Sequence, residues 1–225
     1  MTEPAGDRLV KSLERRFRTT RSRIDLAGRE IVLLHPESAE DLIDERDFEL
    51  DERLPYWAEV WPSSRVLAAR LVAFDARDRT LLELGCGAGL VATAASLAGF
   101  RVTVSDYYED ALRFARANAW LHTVRSPEAM LLDWRALPDE PPRFDTIVAS
   151  DVLYEREYGG LVAAAIGVFL DESGSAYLAD PGRVGREEFL RSLDSNRLVL
   201  RSTAEHPFAD GQVRQKITIY EIARR

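Results

Sequence analysis

The sequence predicts an α/β protein: a doubly wound, mostly parallel seven-stranded sheet with helices on both faces and an antiparallel hairpin at its end. Three observations carry this. From residue 80 onward, short apolar runs alternate with longer helix-like stretches. That alternation marks a parallel sheet, whose crossovers place helices on its faces. The first run, TLLEL, opens into the glycine turn of LELGCGAGL at residues 82–90. The last two strand-like runs, RLVLRSTAE and GQVRQKITIYEI, meet near a short turn at Asp210-Gly211, as an antiparallel pair does.

The 225 residues suit one domain at 55–225 preceded by an extension at 1–54. Residues 8–23, RLVKSLERRFRTTRSR, hold seven basic side chains and one acid. At helical spacing Arg8, Lys11, Arg15 and Arg18 share one face, and Leu9, Leu13 and Phe17 another. The stretch reads as an amphipathic helix packed on the body, its basic face solvated or turned to an acidic partner. RIDLAGREIVLL alternates around Ala27-Gly28 and predicts a hairpin. SAEDLIDERD, with Ser38 as its N-cap, predicts a short helix. In PYWAEVWPSSRVLAARLVAF, Pro62 and Ser63 start a helix with an apolar side at Val66, Leu67, Ala69, Leu71 and Val72.

Beyond TLLEL the chain reads as GLVATAASLAG helix, RVTVSD strand, EDALRFARANAWL helix, EAMLLDW strand and FDTIVASD strand. YGGLVAAAIGVFL follows as a helix, SAYLADP as a strand and REEFLRSL as a short helix before the closing pair. With that pair, seven strands lie beyond residue 80.

Composition narrows the function. A net charge of −8 argues against a broad electrostatic grip on nucleic acid. The longest apolar runs, such as LVAAAIGVFL, are too short to span a bilayer, and the N-terminal residues have no signal-like apolar core. A cytoplasmic protein is expected. One cysteine, Cys86, excludes an internal disulfide framework, and three scattered histidines do not suggest a metal site. Cys86 lies inside the glycine turn, where small residues are required, with no histidine near to activate it.

Gly85, Gly87 and Gly89 allow positive φ and close approach of backbone to a ligand. The dinucleotide fingerprint needs glycine at its sixth position, which here is Leu90, and a P-loop lysine is absent. Asp106 ends the second strand about twenty residues past the first glycine, where a carboxylate accepts ribose hydroxyls or caps a helix. Asp133 and Trp134 end the third strand. The acid can accept an adenine amino group and the indole can stack on a purine, or the indole simply fills a crevice. Asp151 and Tyr154 leave the carboxyl end of the fourth strand, where open α/β sheets bind ligands. The alternative is that Asp151 caps and Tyr154 packs. Trp57 and Trp61 lie just before a helix, placed either to cover a cation or to staple the segment.

LLELGCGAGL, VTVSDY, LLDW and FDTIVASDVLY resemble, in order, the motifs of seven-strand (class I) S-adenosylmethionine (SAM)-dependent methyltransferases, over roughly residues 55–220. The Asp151-to-Tyr154 D-x-x-Y sequence, PYWAEVWPSS and LLDW resemble the small protein-lysine methyltransferases of this fold. LADPGR is similar to a stretch of the electron-transfer-flavoprotein β-subunit lysine methyltransferase group. The resemblance implies SAM as cofactor, with S-adenosylhomocysteine as its product, and a Rossmann-like methyltransferase fold. By the same resemblance Glu83, Gly85, Gly87 and Gly89 shape the seat of the methionine part. Asp106 holds the ribose with Tyr107 beside the adenosine, and Asp133 and Trp134 hold adenine. Ser150 and Asp151 border the sulfonium, Asp151 and Tyr154 face the acceptor, and Trp57 and Trp61 cover the cofactor.

The expected acceptor is a lysine of a protein substrate, with a small-molecule amine or hydroxyl as the alternative. An NAD-linked oxidoreductase is disfavoured by Leu90, and a non-catalytic module by the intact pocket residues. A carboxylate is a poor base for an ammonium ion, since free aspartic acid has a pKa of about 3.9 against about 10.4 for lysine. Its expected task is therefore to orient the amine, and Tyr154 would form the pocket wall.

Overall fold

The computed structural model describes residues 4–39, 42 and 55–225. Its large sheet has seven strands. They are β3 (Thr80–Leu84), β4 (Arg101–Asp106), β5 (Glu128–Leu131), β6 (Phe144–Ser150), β7 (Leu170–Asp180), β8 (Leu198–Asp210) and β9 (Val213–Arg224). Their order is β5-β4-β3-β6-β7-β9-β8, parallel from β5 to β7 and antiparallel at β7-β9 and β9-β8. The order reverses between β3 and β6, so those strands send their connections to opposite sides and leave a crevice at their carboxyl ends.

Period-two alternation decides the two cores. Leu81, Val104 and Val148 pack with Leu67 and Leu71 of α2 (Pro62–Leu71), Ala92 and Ala95 of α3 (Leu90–Leu97) and Leu112 of α4 (Glu109–Thr123). Leu82, Leu84, Ile147 and Leu178 face the other way. They pack with Val162, Ile166 and Phe169 of α5 (Tyr158–Phe169) and Phe189 of α6 (Arg186–Ser192). β7 begins earlier than the SAYLADP pattern suggests. Its pairing with β6 shifts register between Phe144 and Thr146, so exposed Glu172 joins a strand that alternation alone would exclude.

The N-terminal segment corrects one expectation. The basic stretch is not a single helix: α1 (Ala5–Arg16) stops at Arg16, and residues 19–23 belong to β1 (Thr19–Leu26). β-branched Thr19 and Thr20 favour the strand, and inward Ile24 and Leu26 fix its register against β2 (Arg29–Pro36). The hairpin turns at Ala27-Gly28, as expected. The arginines are spent locally: Arg16 meets Asp110, Arg21 meets Glu14, and Arg23 meets Glu30. The predicted helix at SAEDLIDERD falls mostly outside the described residues. Tyr56–Ala58 forms a single 3-10 turn before α2.

Buried Asn118 fastens the N-terminal hairpin to the core. Its side chain accepts from Leu34 N at 2.7 Å and donates to Leu34 O at 2.7 Å and Ala88 O at 2.8 Å. One amide thereby ties β2, α4 and the glycine turn. Asn118→Leu leaves three backbone groups in a dry site without partners. The expected cost is about 2–5 kcal/mol, read as a fall in the denaturation midpoint.

Candidate active site

The glycine turn leaves β3 under tight constraints. Gly85, Gly87 and Gly89 have φ of +67°, +50° and +84°. A side chain on Gly87 would press the Trp57 carbonyl at 3.0 Å, and one on Gly89 would meet the Ala115 Cα at 2.3 Å. The backbone is held by Cys86 N donating to Ser105 O and Gly89 N to Cys86 O. Cys86 is buried, and burial pushes its thiol well above the usual range, so it stays protonated and unreactive.

Two carboxylates stand behind this turn. Asp106 accepts from Gly87 N through Oδ2 and from Tyr108 N through Oδ1, both at 3.0 Å. Burial outweighs these donors and lifts its carboxyl to about 6. Glu83 is buried and has an Oε2 with no hydrogen-bond partner. Burial holds its carboxyl well above the carboxylate range, a shift that an Ala92 N–H opposes.

Asp151 lies just past β6 with φ +59°, a left-handed conformation that an aspartate tolerates better than most residues. Its amide donates to Ala179 O. Its nearly buried carboxylate accepts from Ser63 Oγ at 2.9 Å and from Arg183 Nε at 2.6 Å. Aromatic rings line the cavity with it in a chain of edge-to-face contacts. Trp61 meets Tyr56 at 6.1 Å, Tyr56 meets Tyr154 at 5.5 Å, Tyr154 meets Tyr158 at 4.9 Å, and Tyr158 meets Trp134 at 5.7 Å.

All thirteen residues singled out in the sequence line one cavity of about 370 Å³, a size typical of small-ligand sites. Their engagements differ. Trp57 makes a tilted contact with Phe114 at 5.7 Å between ring centres, and Tyr107 lies partly exposed under the Arg135 guanidinium. The Asp133 carboxylate is gripped by Arg135 at 2.8–3.1 Å. The Trp134 Nε1 is buried without a partner. Ser63, Arg183, Tyr56 and Tyr158 were not anticipated as site residues. The only sequence signal for Arg183 was its place in LADPGR.

A parallel sheet with a carboxyl-end cavity at its switch point and an antiparallel closing pair defines the seven-strand methyltransferase class. Solved structures show the same fold. The magnesium protoporphyrin IX methyltransferase of Synechocystis, solved with SAM, superposes with a TM-score of 0.59 at 19% identity, covering 82% of this chain and 94% of that one. A TehB-like SAM-dependent methyltransferase from Corynebacterium glutamicum gives 0.56 at 17% identity, covering 80% and 94%. Within that class, residues 54–196 match the lysine methyltransferase family model, and the chain belongs to that family.

Among curated relatives, protein-lysine methyltransferase METTL21E of Mus musculus is 33% identical over 115 residues, covering 46% of this chain and 47% of the relative. Protein N-lysine methyltransferase METTL21A of Danio rerio is 32% identical over 135 residues, covering 55% and 62%. The electron transfer flavoprotein beta subunit lysine methyltransferase of Danio rerio is 28% identical over 138 residues, covering 60% and 53%. The chain thus spans about half the length of the curated relatives it matches.

Proposed function

We propose that this chain is a SAM-dependent methyltransferase that N-methylates a lysine side chain of a protein substrate. One observation carries the reading. A single cavity joins the glycine turn and Asp106 to a nearly buried Asp151 carboxylate flanked by tyrosines.

The residues present suit the cofactor. The positive-φ glycines line the cavity with bare backbone, and Glu83 Oε2 and Trp134 Nε1 are buried polar atoms in need of a partner. Gly85, Gly87, Gly89 and Glu83 would seat the methionine part. Asp106 would take the ribose hydroxyls with Tyr107 alongside, and Asp133 and Trp134 would border adenine. Ser150 would border the sulfonium, with Trp57 and Trp61 covering it. When bound, SAM supplies an electrophilic methyl group on a positively charged sulfur.

The protein's own task is alignment, because in-line displacement depends on reacting atoms held about 3–3.5 Å apart. The rings exclude water from the acceptor and disfavour its charged form. Asp151 accepts a hydrogen bond from the amine and aims its lone pair, while Tyr154 walls the channel. The amine's proton is lost to water before transfer.

We infer that the chain works in the cytoplasm, a reading supported by its single, buried and unpaired cysteine. Residues 1–54 serve as an extension and 55–225 as the catalytic domain.

The test is incubation with methyl-labelled SAM in a lysate lacking the endogenous enzyme, followed by mass spectrometry. Label on a protein lysine supports the reading. Label confined to a small-molecule fraction moves the acceptor to the rival class, and no label overturns both.

A pH dependence follows from Asp106. Ribose hydroxyls donate to its ionised form, so S-adenosylhomocysteine affinity should fall about tenfold between pH 7 and pH 5 as the carboxyl protonates at about 6. Fold stability moves oppositely. An unfolded aspartate holds its proton only to about 3.9. This group therefore favours the fold below about pH 4, and that contribution disappears as pH rises through 6. Calorimetric titration across this range checks it, and flat affinity would remove Asp106 as the ribose anchor.

A further inference from the structure

Arg183 touches Asp151 and has no role in the reading above. Three contacts fix its guanidinium and backbone. Nε donates to Asp151 Oδ1 at 2.6 Å, and Cζ stands 5.2 Å from the centre of the Trp61 ring. Beneath it, wholly buried Asp180 accepts from Gly182 N at 2.7 Å and from Arg183 N at 3.1 Å. Gly182 has φ +98°, so the turn Asp180-Pro181-Gly182-Arg183 is shaped by both its acid and its glycine. Only 33% of the Arg183 side chain is exposed. The turn therefore delivers one cation to the acceptor end of the cavity.

The chemistry gives that cation a purpose. The acceptor must arrive as a neutral amine, yet a bare carboxylate beside it would stabilise the ammonium form. A guanidinium paired with the carboxylate cancels most of that field. Two of the carboxylate's roughly four lone-pair sites are taken by Ser63 and Arg183, leaving room for an amine N–H.

We propose that Arg183 is a positioning residue that sets the charge state of the acceptor. It holds the Asp151 carboxylate in place as a hydrogen-bond acceptor while cancelling its charge, so that the site admits the neutral amine over the ammonium ion. This rests on the lysine reading and adds the protonation state that the site selects.

Other ionisable groups face the same cavity. They are Tyr56, Glu59, Tyr154, Glu155 and Tyr158, with Glu83, Cys86, Asp106, Tyr107, Tyr108, Asp133 and Arg135 in the same lining and Asp180 bound to the Arg183 backbone. They are common to every variant compared below.

The test uses butylamine as a lysine side-chain probe, bound to the full chain saturated with S-adenosylhomocysteine and followed by NMR. Wild type is expected to bind it at least about tenfold more tightly near pH 10 than near pH 7, because only the neutral fraction fits. In Arg183→Gln that preference should shrink to within about twofold or invert, since an unopposed carboxylate favours the cation. Arg183→Lys should keep the wild-type preference, which a purely structural role for the guanidinium would not predict. S-adenosylhomocysteine affinity reports that the variants are folded.

An Arg183→Gln variant with the wild-type preference overturns the proposal and leaves the lysine reading standing. Wild type that binds better near pH 7 also overturns it, and that measurement needs no variant. Wild type that binds no butylamine at either pH overturns the lysine reading together with the proposal.

Discussion

Asp151→Asn is expected to lose methyl transfer by about a hundredfold or more while keeping S-adenosylhomocysteine affinity within about threefold. Asparagine is the right substitution because Asp151 sits at φ +59°, where asparagine is tolerated and alanine would add backbone strain. The amide keeps an oxygen for Ser63 and leaves the Ala179 bond untouched. What it removes is the negative charge facing Arg183 and the acceptor's hydrogen-bonding partner. Single-turnover assays with labelled SAM, set beside a calorimetric titration, separate the two effects. Unchanged turnover would show that Asp151 does not orient the amine, and loss of both activities would place it in cofactor binding.

Gly89→Ala should be severely destabilising, because it combines a left-handed φ with a backbone clash. The added carbon would lie 2.3 Å from Ala115 Cα and 2.6 Å from its Cβ. Ala115 is on α4, so relief requires moving a helix that Asn118 has tied to β2 and to the turn itself. Left-handed φ costs about 1–2 kcal/mol for alanine, and overpacking a dense core about 1–3 more. A loss of about 3 kcal/mol corresponds to a midpoint about 6–12 °C lower in a domain of this size. Cofactor affinity should fall with it, since the turn carries the seat. Gly211→Ala is the control. It has φ +55° and nothing within 4 Å, so it should lose only the backbone part. Equal midpoints for the two variants would show that the clash at Gly89 relaxes freely.

These two sites differ in how far the sequence revealed them. LELGCGAGL announced a strand, a turn and a helix within nine residues, and alternation gave the sheet its strands in order. Asp151 was visible because it ends a strand and precedes Tyr154 at a helical interval. Its partners were not, since Ser63 lies 88 residues before it and Arg183 32 after, and no local pattern encodes such contacts. Residues 19–23 misled for a related reason. The hairpin pattern around Ala27-Gly28 was legible from Arg23 onward, but charges at helical spacing were counted through a segment that already pairs from Thr19 with Pro36. Asp133 shows another limit. It lines the cavity as read, but its bonds to Arg135 two residues on were not part of that reading, because the pattern LLDW does not include Arg135.

The strand order also has a consequence in time. β9 lies between β7 and β8, although it is made after both. While a ribosome is still extending the chain, β7 has β6 on one side and an open ladder on the other. β8 cannot cover it, because its own partner is the same later strand. Until β9 emerges, the nascent sheet therefore presents an unpaired hydrogen-bonding edge, the kind of surface on which chains aggregate. The apolar run AYLA of β7, destined for the interior, is the segment most in need of protection during that interval. Yield on translation should thus depend on how soon residues 213–224 follow β7, more than on any step that forms the glycine turn.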